Sequence, residues 1–355
     1  MSIKDLRILY VHHGIRKTMD VLHELEKENI IETFNDIELP KKNKNKSNAD
    51  GFAEITSRIR EINPNILIWH HVGKFETKID IIDEIKKINP GLIFIYQEMD
   101  AYGGIFKPMP PSMRTLVSNA DVVLSCCGSP MTSMLRKIMK PNADILWFGH
   151  KAIPDMWPDR EEVFRAQKLP KKYDVVMLGS NLRSRAPLIQ NFSLTQFPGS
   201  YMRWKTTRAV TKAFPGKTAI YGTGWSGFKE HAGIVPLTEQ IASQWYARVS
   251  AMWNHYDKSG FYTSDRPIIA MLSGIPHVTN YQPGHELLFG ENGKYLFWAK
   301  DQKEYVDIIR YLLSMSPENR NYIGMRAYDY AQKHFSVKTE WISMLRCISD
   351  RLTIK

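Results

Sequence analysis

The chain has 355 residues, 43% of them hydrophobic, which is enough to build two α/β domains of ordinary size. No stretch approaches the roughly 18 consecutive apolar residues of a membrane span, and the N-terminal MSIKDLRILYVHHG lacks the ordered regions of a signal peptide. Only three cysteines are present, two of them adjacent, so we expect no disulfide framework and a cytoplasmic location.

The net charge of +11 is unevenly distributed along the chain. Residues 1–165 carry 23 basic and 23 acidic residues, so the whole excess lies in residues 166–355. Such an asymmetry suggests that a polyanion binds near the second half. A nucleotide diphosphate alone needs only two or three of these charges, so the excess also suggests an anionic acceptor. The alternative is that the excess charge only keeps the protein in solution.

The first half alternates strand and helix patterns, as a parallel doubly wound sheet requires. Four strands separated by crossover helices predict a Rossmann-like sheet. The lysine-asparagine segment 41–48 has no apolar residue and is predicted to be a solvated loop. The predicted strands are 6–14, 65–70, 92–97 and 121–125, and the predicted helices are 16–25, 53–62, 79–88 and 112–118.

A segment at 147–172 mixes proline, charge and aromatic residues without a clear period, which is typical of a linker. It divides the chain into a first domain at 1–165 and a second at 166–335, with a final helix at 336–355. The predicted strands of the second half are 174–178, 218–222 and 276–280, and its predicted helices are 237–252, one starting at Arg266, 302–315, 317–334 and 337–352.

The segment 263–280, TSDRPIIAMLSGIPHVTN, predicts a helix that ends at a glycine and leads into a buried strand. Ile268, Ile269 and Leu272 fit one helical face. Gly274 suits a left-handed C-cap, and Pro276 prevents the helix from continuing. The N-terminus of such a helix points toward the edge of the sheet where ligands bind.

This segment contains, in order, an arginine, an alanine-containing helix, Gly-x-Pro and a β-branched strand. That layout resembles the donor-site helix of nucleotide-sugar glycosyltransferases. Three more segments, 174–180 with Arg185, 219–225 and Phe335-Ser336, match in order the bacterial spore-protein-type glycosyltransferase-like family. This resemblance implies the α/β GT-B fold, in which two Rossmann-like domains with parallel sheets face each other. It also implies that the final helix crosses back to the first domain and that a helix N-terminus faces the nucleotide sugar.

The pyrophosphate of such a donor requires backbone N–H groups and cations. The loop GSNLRSR follows an apolar strand and offers Gly179, Ser180, Arg183 and Arg185, and the resemblance singles out Arg185. The segment AIYGTGW adds Gly222. Arg266 lies in the first turn of its helix, where a cation is unfavourable unless an anion is bound. Alternatively, Arg183 and Arg185 are surface residues of a turn.

The chain departs from the resembled family at the ribose-binding position. Retaining enzymes of the best-known type have a glutamate before the helical alanine and a second one eight residues earlier, where this chain has Ile269 and Phe261. Ser264, Asp265 or Glu286 could replace them. Retention or inversion of the anomeric configuration is therefore left open.

For the general base, Asp100 is the first candidate and Glu98 the second, because both follow a buried strand at its carboxyl end. The tract LIFIYQEMD resembles phage DNA α-glucosyltransferases over a few residues. The alternative is an aspartate that only turns the chain. Several strand-end or junction residues are candidates for lining the cleft between domains: His12, His13, Gly14, His70, His71 and His150. We expect no metal and no cofactor, since GT-B enzymes use helix dipoles and cations instead.

The segment 200–217 interleaves basic and aromatic residues. Lys205, Arg208 and Lys212 share one helical face, and Arg203 lies at its start. Cations for phosphates and rings for unstacked bases are what nucleic-acid binding requires. A solvated helix face explains the same pattern.

We therefore predict a glycosyltransferase that moves a sugar from a nucleotide-sugar to an acceptor hydroxyl, with a hydroxymethylated base of double-stranded phage DNA as the first candidate acceptor. A glycan or small-molecule acceptor is the alternative within the enzyme class. Outside that class, the missing glutamates are compatible with a GT-B binding protein that has lost catalysis.

Overall fold

The computed structural model describes residues 2–12, 16–39, 48–70, 81–100, 102, 108–129, 131–149, 158–181, 198–254, 262 and 264–354. These residues form two compact units. Unit 1 comprises the described residues of Met1–Gly103, Lys107–Gly149 and Val337–Lys355, and unit 2 those of His150–Ser336. No helix among the described residues is both long and apolar enough to cross a bilayer.

Unit 1 contains a parallel six-stranded sheet of order β2-β1-β3-β4-β5-β6. Every neighbouring pair is parallel. Because β1 pairs with both β2 and β3, the chain direction across the sheet reverses there, and the carboxyl end of β1 is a switch point. The strands are β1 (Arg7–His12), β2 (Thr33–Glu38), β3 (Ile66–His70), β4 (Ile93–Glu98), β5 (Val122–Ser125) and β6 (Asp144–Trp147).

The prediction of four strands in this half was wrong, because β2 and β6 were missed. Both are edge strands. Only two of the six residues of β2, Phe34 and Ile37, are buried, and all four residues of β6 are half-buried. Short, half-exposed edge strands lack the continuous apolar runs that identify β3 and β4.

Six helices belong to unit 1, and the last one comes from the end of the chain. In α13, Trp341 is fully buried against Tyr10 and Phe148, with ring-centroid distances of 6.0 and 5.1 Å. Leu345 and Ile348 of the same helix join this core. The helices are α1 (Arg16–Lys27), α2 (Asn48–Ile62), α3 (Ile82–Ile88), α4 (Pro111–Asn119), α5 (Met131–Arg136) and, numbered after those of unit 2, α13 (Val337–Ile354). Of the predicted loop 41–48, only Asn48 is described, and it begins α2.

Unit 2 contains a second parallel six-stranded sheet, of order β12-β11-β10-β7-β8-β9. Two parallel sheets with crossover helices confirm the predicted α/β fold of two Rossmann-like halves. The strands are β7 (Tyr173–Leu178), β8 (Thr218–Tyr221), β9 (His231–Gly233), β10 (Ala247–Met252), β11 (His277–Asn280) and β12 (Phe297–Ala299). The helices are α6 (Arg160–Gln167), α7 (Pro198–Ala213), α8 (Gln240–Gln244), α9 (Asp265–Leu272), α10 (His285–Phe289), α11 (Gln302–Ser314) and α12 (Pro317–His334).

The predicted helix at 237–252 was wrong in its second half. A 3₁₀ turn at Leu237–Glu239 and the short α8 are followed by β10, which pairs with β7 on one side and β11 on the other. Five of its six residues are buried. The strand ARVSAM does alternate apolar and polar residues from Ala247 to Ala251, but no glycine or proline separates it from the preceding helical pattern, so this short period was read as part of the helix. The predicted linker was also partly wrong, because 160–167 forms α6.

The predicted helix stop at Gly274 is confirmed. This glycine has φ +67°, and its carbonyl lies so close to α12 that a β-carbon on Gly324 would come within 1.8 Å of the oxygen. The two helices therefore pack backbone to backbone, which fixes where α9 ends and β11 begins.

Candidate functional site

A cavity of about 120 Å³ lies in unit 2 at the carboxyl ends of β7 and β8. This edge adjoins the switch point between β7 and β10, where open parallel sheets bind ligands. We call it the carboxyl-end cavity. It is lined by Leu178, Gly179, Ser180, Tyr221, Gly222, Thr223, Ile234, Val235, Gln240 and Arg266. The structure thus brings together four residues singled out from sequence, Gly179, Ser180, Gly222 and Arg266.

Two glycines allow the backbones beneath this cavity to approach each other. Gly179 has φ +128° and Gly222 φ +138°, both in the region that side chains avoid. A β-carbon on Gly222 would lie 2.4 Å from the Gly179 oxygen, and one on Gly179 would lie 3.2 Å from Nε of Arg266. The Arg266 guanidinium therefore lies directly over the turn after β7.

Two buried side chains, those of Trp225 and Arg203, fix the backbone of that turn through hydrogen bonds. The Gly179 carbonyl accepts a 2.7 Å bond from Nε1 of Trp225, and the Ser180 carbonyl accepts a 2.8 Å bond from Nη1 of Arg203. The Asn181 amide donates to the Thr223 carbonyl at 2.8 Å. The Ser180 amide itself donates to none of the described residues. It is therefore available to an anion in a turn that is already fixed.

The N-terminus of α9 faces the same region. Ser264 is its N-cap residue, is 2% exposed, and makes no hydrogen bond through its hydroxyl to any described residue. Asp265 and Arg266 follow in the first turn, with Oδ1 and Nη1 3.8 Å apart. A cation at a helix N-terminus opposes the helix dipole, so an anion beside Arg266 would relieve that cost.

Sequence reasoning missed the apolar end of the carboxyl-end cavity. Ile234 is 67% exposed and Val235 lies beside it, both just after β9. A three-residue strand is too short to show periodicity. Gly233 could have indicated this end of the cavity, because a glycine also ends β9. Like Gly179, it has a positive φ, of +107°.

In unit 1, the two carboxylates at the end of β4 have different surroundings. Glu98 is fully buried. One of its oxygens accepts a 2.5 Å bond from the Tyr96 hydroxyl, and the other accepts a 2.8 Å bond from the Asp100 amide. Asp100 is only half-buried. Glu98 therefore fixes the backbone that carries Asp100, and Asp100 is the less buried of the two residues.

Two of the candidate histidines are described. His12 ends β1, is 1% exposed, and lies 3.0 Å from Oδ2 of Asp36 through Nε2. His70 ends β3, is 6% exposed, and stacks on Tyr10 at 6.0 Å. Both are at the switch point of unit 1 but mostly inside the protein. Six candidates lie outside the described residues: His13, Gly14, His71, His150, Arg183 and Arg185. The position of Phe261 is also outside them.

Glu286 is exposed on α10 and is not among the residues that line the carboxyl-end cavity. Asp265 is half-buried beside Arg266 and does not line the cavity either. Ile269 is 1% exposed and belongs to the apolar core beneath α9. The position that carries a glutamate in the resembled enzymes is thus occupied here by a packing residue.

The predicted basic surface on α7 needs one correction. Arg203 is 2% exposed and donates to the Trp253 carbonyl at 2.7 Å as well as to Ser180, so it is an internal support of the turn after β7. Lys205, Arg208 and Lys212 are exposed, as their spacing predicts. Lys205 and Arg208 lie over the rings of two aromatic residues, Tyr201 and Trp204, at 5.5 and 5.4 Å. We call Lys205, Arg208 and Lys212 the α7 basic face.

Comparisons with known proteins agree with the fold described above. Residues 203–346 match a family model described as "Glycosyl transferase-like". No curated protein matches the sequence. Sucrose-phosphate synthase from Thermosynechococcus elongatus superposes with a TM-score of 0.62 at 10% identity, covering 98% of this chain and 99% of that one.

Two further solved structures contain a nucleotide sugar. Anabaena HepE in complex with UDP-glucose gives a TM-score of 0.56 at 12% identity, with 97% of this chain and 100% of that chain covered. T4 phage BGT in complex with its UDP-glucose substrate gives 0.57 at 13% identity, with 95% and 97% covered. The chain therefore has the fold of GT-B glycosyltransferases.

Proposed function

We propose that this protein is a nucleotide-sugar-dependent glycosyltransferase that binds its donor in the carboxyl-end cavity. The observation that carries the proposal is the convergence of Gly179, Ser180, Gly222 and Arg266 on one cavity beside a helix N-terminus. The Ser180 amide, the helix dipole and the Arg266 guanidinium are the groups that a leaving diphosphate requires. Gly179 and Gly222 shape the turn, since their own amides donate to the Tyr221 and Gly233 carbonyls at 2.9 Å. We also propose, from the four ordered sequence segments, that the chain is of the spore-protein type. The small number of cysteines supports the further proposal that it acts in the cytoplasm.

The two ends of the cavity suggest how the donor is oriented. Arg266 and the Gly179–Ser180 turn form a polar end suited to the diphosphate, and Ile234 and Val235 form an apolar end suited to the nucleobase. At about 120 Å³ the cavity is smaller than the roughly 300 Å³ at which complete small-molecule sites begin. We infer that the described residues hold the diphosphate and part of the nucleoside.

The reaction breaks the bond between the anomeric carbon and the diphosphate oxygen and forms a bond from that carbon to the acceptor oxygen. Arg266 stabilises the negative charge on the leaving diphosphate. Asp100 takes the proton of the acceptor hydroxyl as general base, on an amide anchored by Glu98. Ile269 lies in the core, and none of Ser264, Asp265 and Glu286 lines the cavity. Of these three, Ser264 is the favoured partner for the ribose, because it is the N-cap residue of the helix that carries Arg266 and its hydroxyl makes no hydrogen bond with any described residue.

As acceptor we propose a hydroxymethylated base of double-stranded DNA. The support is the α7 basic face, its neighbouring rings Tyr201 and Trp204, and the excess of basic residues after position 165. A base must leave the stack to react, and exposed cations beside half-buried rings are suited to a distorted duplex. A glycan acceptor is the alternative if the protein does not bind DNA.

The donor site is tested by calorimetric titration with UDP-glucose, UDP and the other nucleoside diphosphates. Arg266→Ala should weaken binding by about 1.5–3 kcal/mol, because a charge-assisted hydrogen bond is lost, which corresponds to roughly 10- to 150-fold. Arg310→Ala is the matched control, since it removes the same charge from an exposed position of α11 in the same unit. Binding to none of these nucleotides, or equal affinity in both variants, would remove the donor site from this cavity.

Catalysis is separated from binding by following release of free sugar from the nucleotide sugar that binds. An enzyme of this kind hydrolyses its donor slowly when no acceptor is present, whereas an inactive GT-B binding protein leaves it intact. Binding without hydrolysis, and without transfer to hydroxymethylated DNA or to glycan acceptors, would identify the inactive protein.

A further inference from the structure

Unit 2 has a second cavity, at the opposite edge of its sheet from the carboxyl-end cavity. It lies at the amino ends of β7, β10 and β11 and has a volume of about 280 Å³. We call it the amino-end cavity. Its size is close to the roughly 300 Å³ at which small-molecule sites begin. None of its lining residues belongs to the carboxyl-end cavity.

Three cations line the amino-end cavity: Lys171, Arg248 and Arg320. They come from three separate elements, the segment before β7, the start of β10 and the first turns of α12. Among the described residues no aspartate or glutamate lines the cavity. Three positive groups from distant parts of the sequence therefore converge on one cavity.

Each of these cations has structural partners but retains unused N–H groups. Lys171 donates to the Ala166 and Trp245 carbonyls at 3.2 and 2.7 Å, which leaves one of its three donors. Among the described residues, Arg320 donates through Nη1 alone, to the Leu312, Leu313 and Met315 carbonyls at the end of α11.

Arg248 also uses only Nη1, on Asp174 at 3.0 Å. Nε and Nη2 of both arginines make no hydrogen bond with the described residues. Hydrogen bonds within the protein thus use some of the N–H groups of each cation, and the remaining N–H groups are sufficient to bind a phosphate group.

The three cations repel one another in the absence of an anion. Burial and the Arg320 charge lower the pKa of Lys171 to about 8. Burial and Arg248 lower the pKa of Arg320. Asp174 offsets Arg248 in part, and Glu318 attracts Arg320 from the first turn of α12. A bound anion would relieve the remaining repulsion.

The surrounding polar groups are also suited to a phosphorylated ligand. Pro317 and Arg320 place the N-terminus of the 18-residue helix α12 at the cavity, so the helix dipole adds positive potential there. Gln167 donates through Nε2 to Gly274 and Asn321, so its side-chain oxygen is left to accept from a hydroxyl.

We propose that the amino-end cavity is a second binding site, for a small phosphate-bearing molecule whose phosphate contacts Lys171, Arg248 and Arg320. This site is independent of the donor site and does not require the proposed activity. Its ligand is either free phosphate or a phosphate monoester of a small hydroxylated molecule such as a sugar.

The site is tested by calorimetric titration with inorganic phosphate and with glucose 1-phosphate at fixed ionic strength. Wild type should bind at least one of them, and Arg248→Gln and Lys171→Met should each weaken that binding tenfold or more. Arg248 is the preferred position because its side chain is 46% exposed and its loss should leave the fold intact. Thermal unfolding of each variant verifies this.

Two control variants distinguish this site from the donor site. Arg310→Ala removes an exposed cation elsewhere in unit 2, and Arg266→Ala removes the cation of the carboxyl-end cavity. Arg310→Ala should bind phosphate as wild type does, and Arg266→Ala should keep the phosphate binding that Arg248→Gln and Lys171→Met lose. Tighter binding of glucose 1-phosphate would identify the monoester as the ligand, and equal binding would identify phosphate. No binding by wild type, unchanged binding in Arg248→Gln and Lys171→Met, or loss of binding only in Arg266→Ala would overturn the proposal.

Discussion

Glu98 and Asp100 are two residues apart, yet their surroundings suit different roles. A carboxylate that is fully buried and bonded through both oxygens, as Glu98 is, is held in place but has little access to a substrate. Asp100 is half-buried, and its backbone is fixed by that same carboxylate. A general base must reach the proton it removes, so geometry favours Asp100 for catalysis and Glu98 for positioning.

This division of roles predicts the kinetics of Asp100→Asn. Turnover should fall by about 10²- to 10⁴-fold, because the amide cannot take a proton, while donor affinity changes little. Turnover is measured at saturating donor, and affinity by titration. Asp83→Asn, at an exposed position of α3, is the control. If Asp100→Asn is fully active, the base is Glu98 or one of the strand-end histidines.

At the scale of single elements, α7 combines two faces with different roles. Arg203, Thr206, Thr207 and Val210 are buried on one side, whereas the α7 basic face is exposed on the other. The spacing of three and four residues between the buried positions was available in the sequence and would have placed Arg203 inside. It was overlooked because arginine is seldom fully buried without partners.

If the α7 basic face binds DNA, replacing Lys205, Arg208 and Lys212 with alanine should weaken binding to a duplex. The slope of log affinity against log salt should flatten by about 0.9 for each DNA phosphate that the variant no longer neutralises. Fluorescence anisotropy over a range of salt concentrations measures this, and donor hydrolysis should be unaffected. A control triple variant at exposed Lys300, Lys303 and Arg310 removes the same charge from unit 2.

Equal slopes in the two triple variants would show that DNA binding, if present, is only a response to net charge. Absence of salt-dependent binding by wild type would contradict the DNA acceptor and leave a glycan acceptor in its place.

The elements that sequence predicted well are those with a distinct period or a clear terminal signal. Helix α4 begins at Pro111, because proline is favoured in the first turn of a helix. Helix α9 ends before Gly274, because glycine readily adopts the left-handed conformation that ends a helix. Both signals lie within a few residues of the helix end that they mark. Strand β10 was mistaken for a helix because it is identified as a strand by its pairing with β7 and β11, which are far away in sequence, and not by a local end signal.

The same distinction applies to the candidate site. Gly179 and Gly222 were predicted because each directly follows an apolar strand, which is a local pattern. Ile234 and Val235 could not be predicted as part of the site, since they join it only through the pairing of β9 with β8. The amino-end cavity was likewise not predicted, because Lys171, Arg248 and Arg320 become neighbours only when three elements pack together.

At the scale of the whole molecule, the order of the chain makes unit 1 dependent on the last residues. The chain leaves unit 1 after Gly149 and returns to it at Val337, so α13 completes a core that the first residues begin. Trp341 is the largest contribution of α13 to this core and is fully buried. The carboxyl-end cavity, in contrast, is built from unit 2 alone.

This arrangement predicts that Trp341→Ala destabilises one unit and spares the other. Loss of a buried tryptophan typically costs about 3–5 kcal/mol, since it leaves a cavity between Tyr10 and Phe148. Hydrogen exchange should therefore accelerate in peptides covering β1 and β3, while peptides covering β7 and β8 keep their protection. Nucleotide affinity should stay within about twofold of wild type, because a change of about 0.4 kcal/mol or less is expected at a distant, independent site.

Tyr322→Ala, at a 63% exposed aromatic of α12, is the control and should alter neither unit. Equal loss of protection in both units would mean that they unfold together, and unchanged protection in β1 would mean that α13 adds little to the core it occupies.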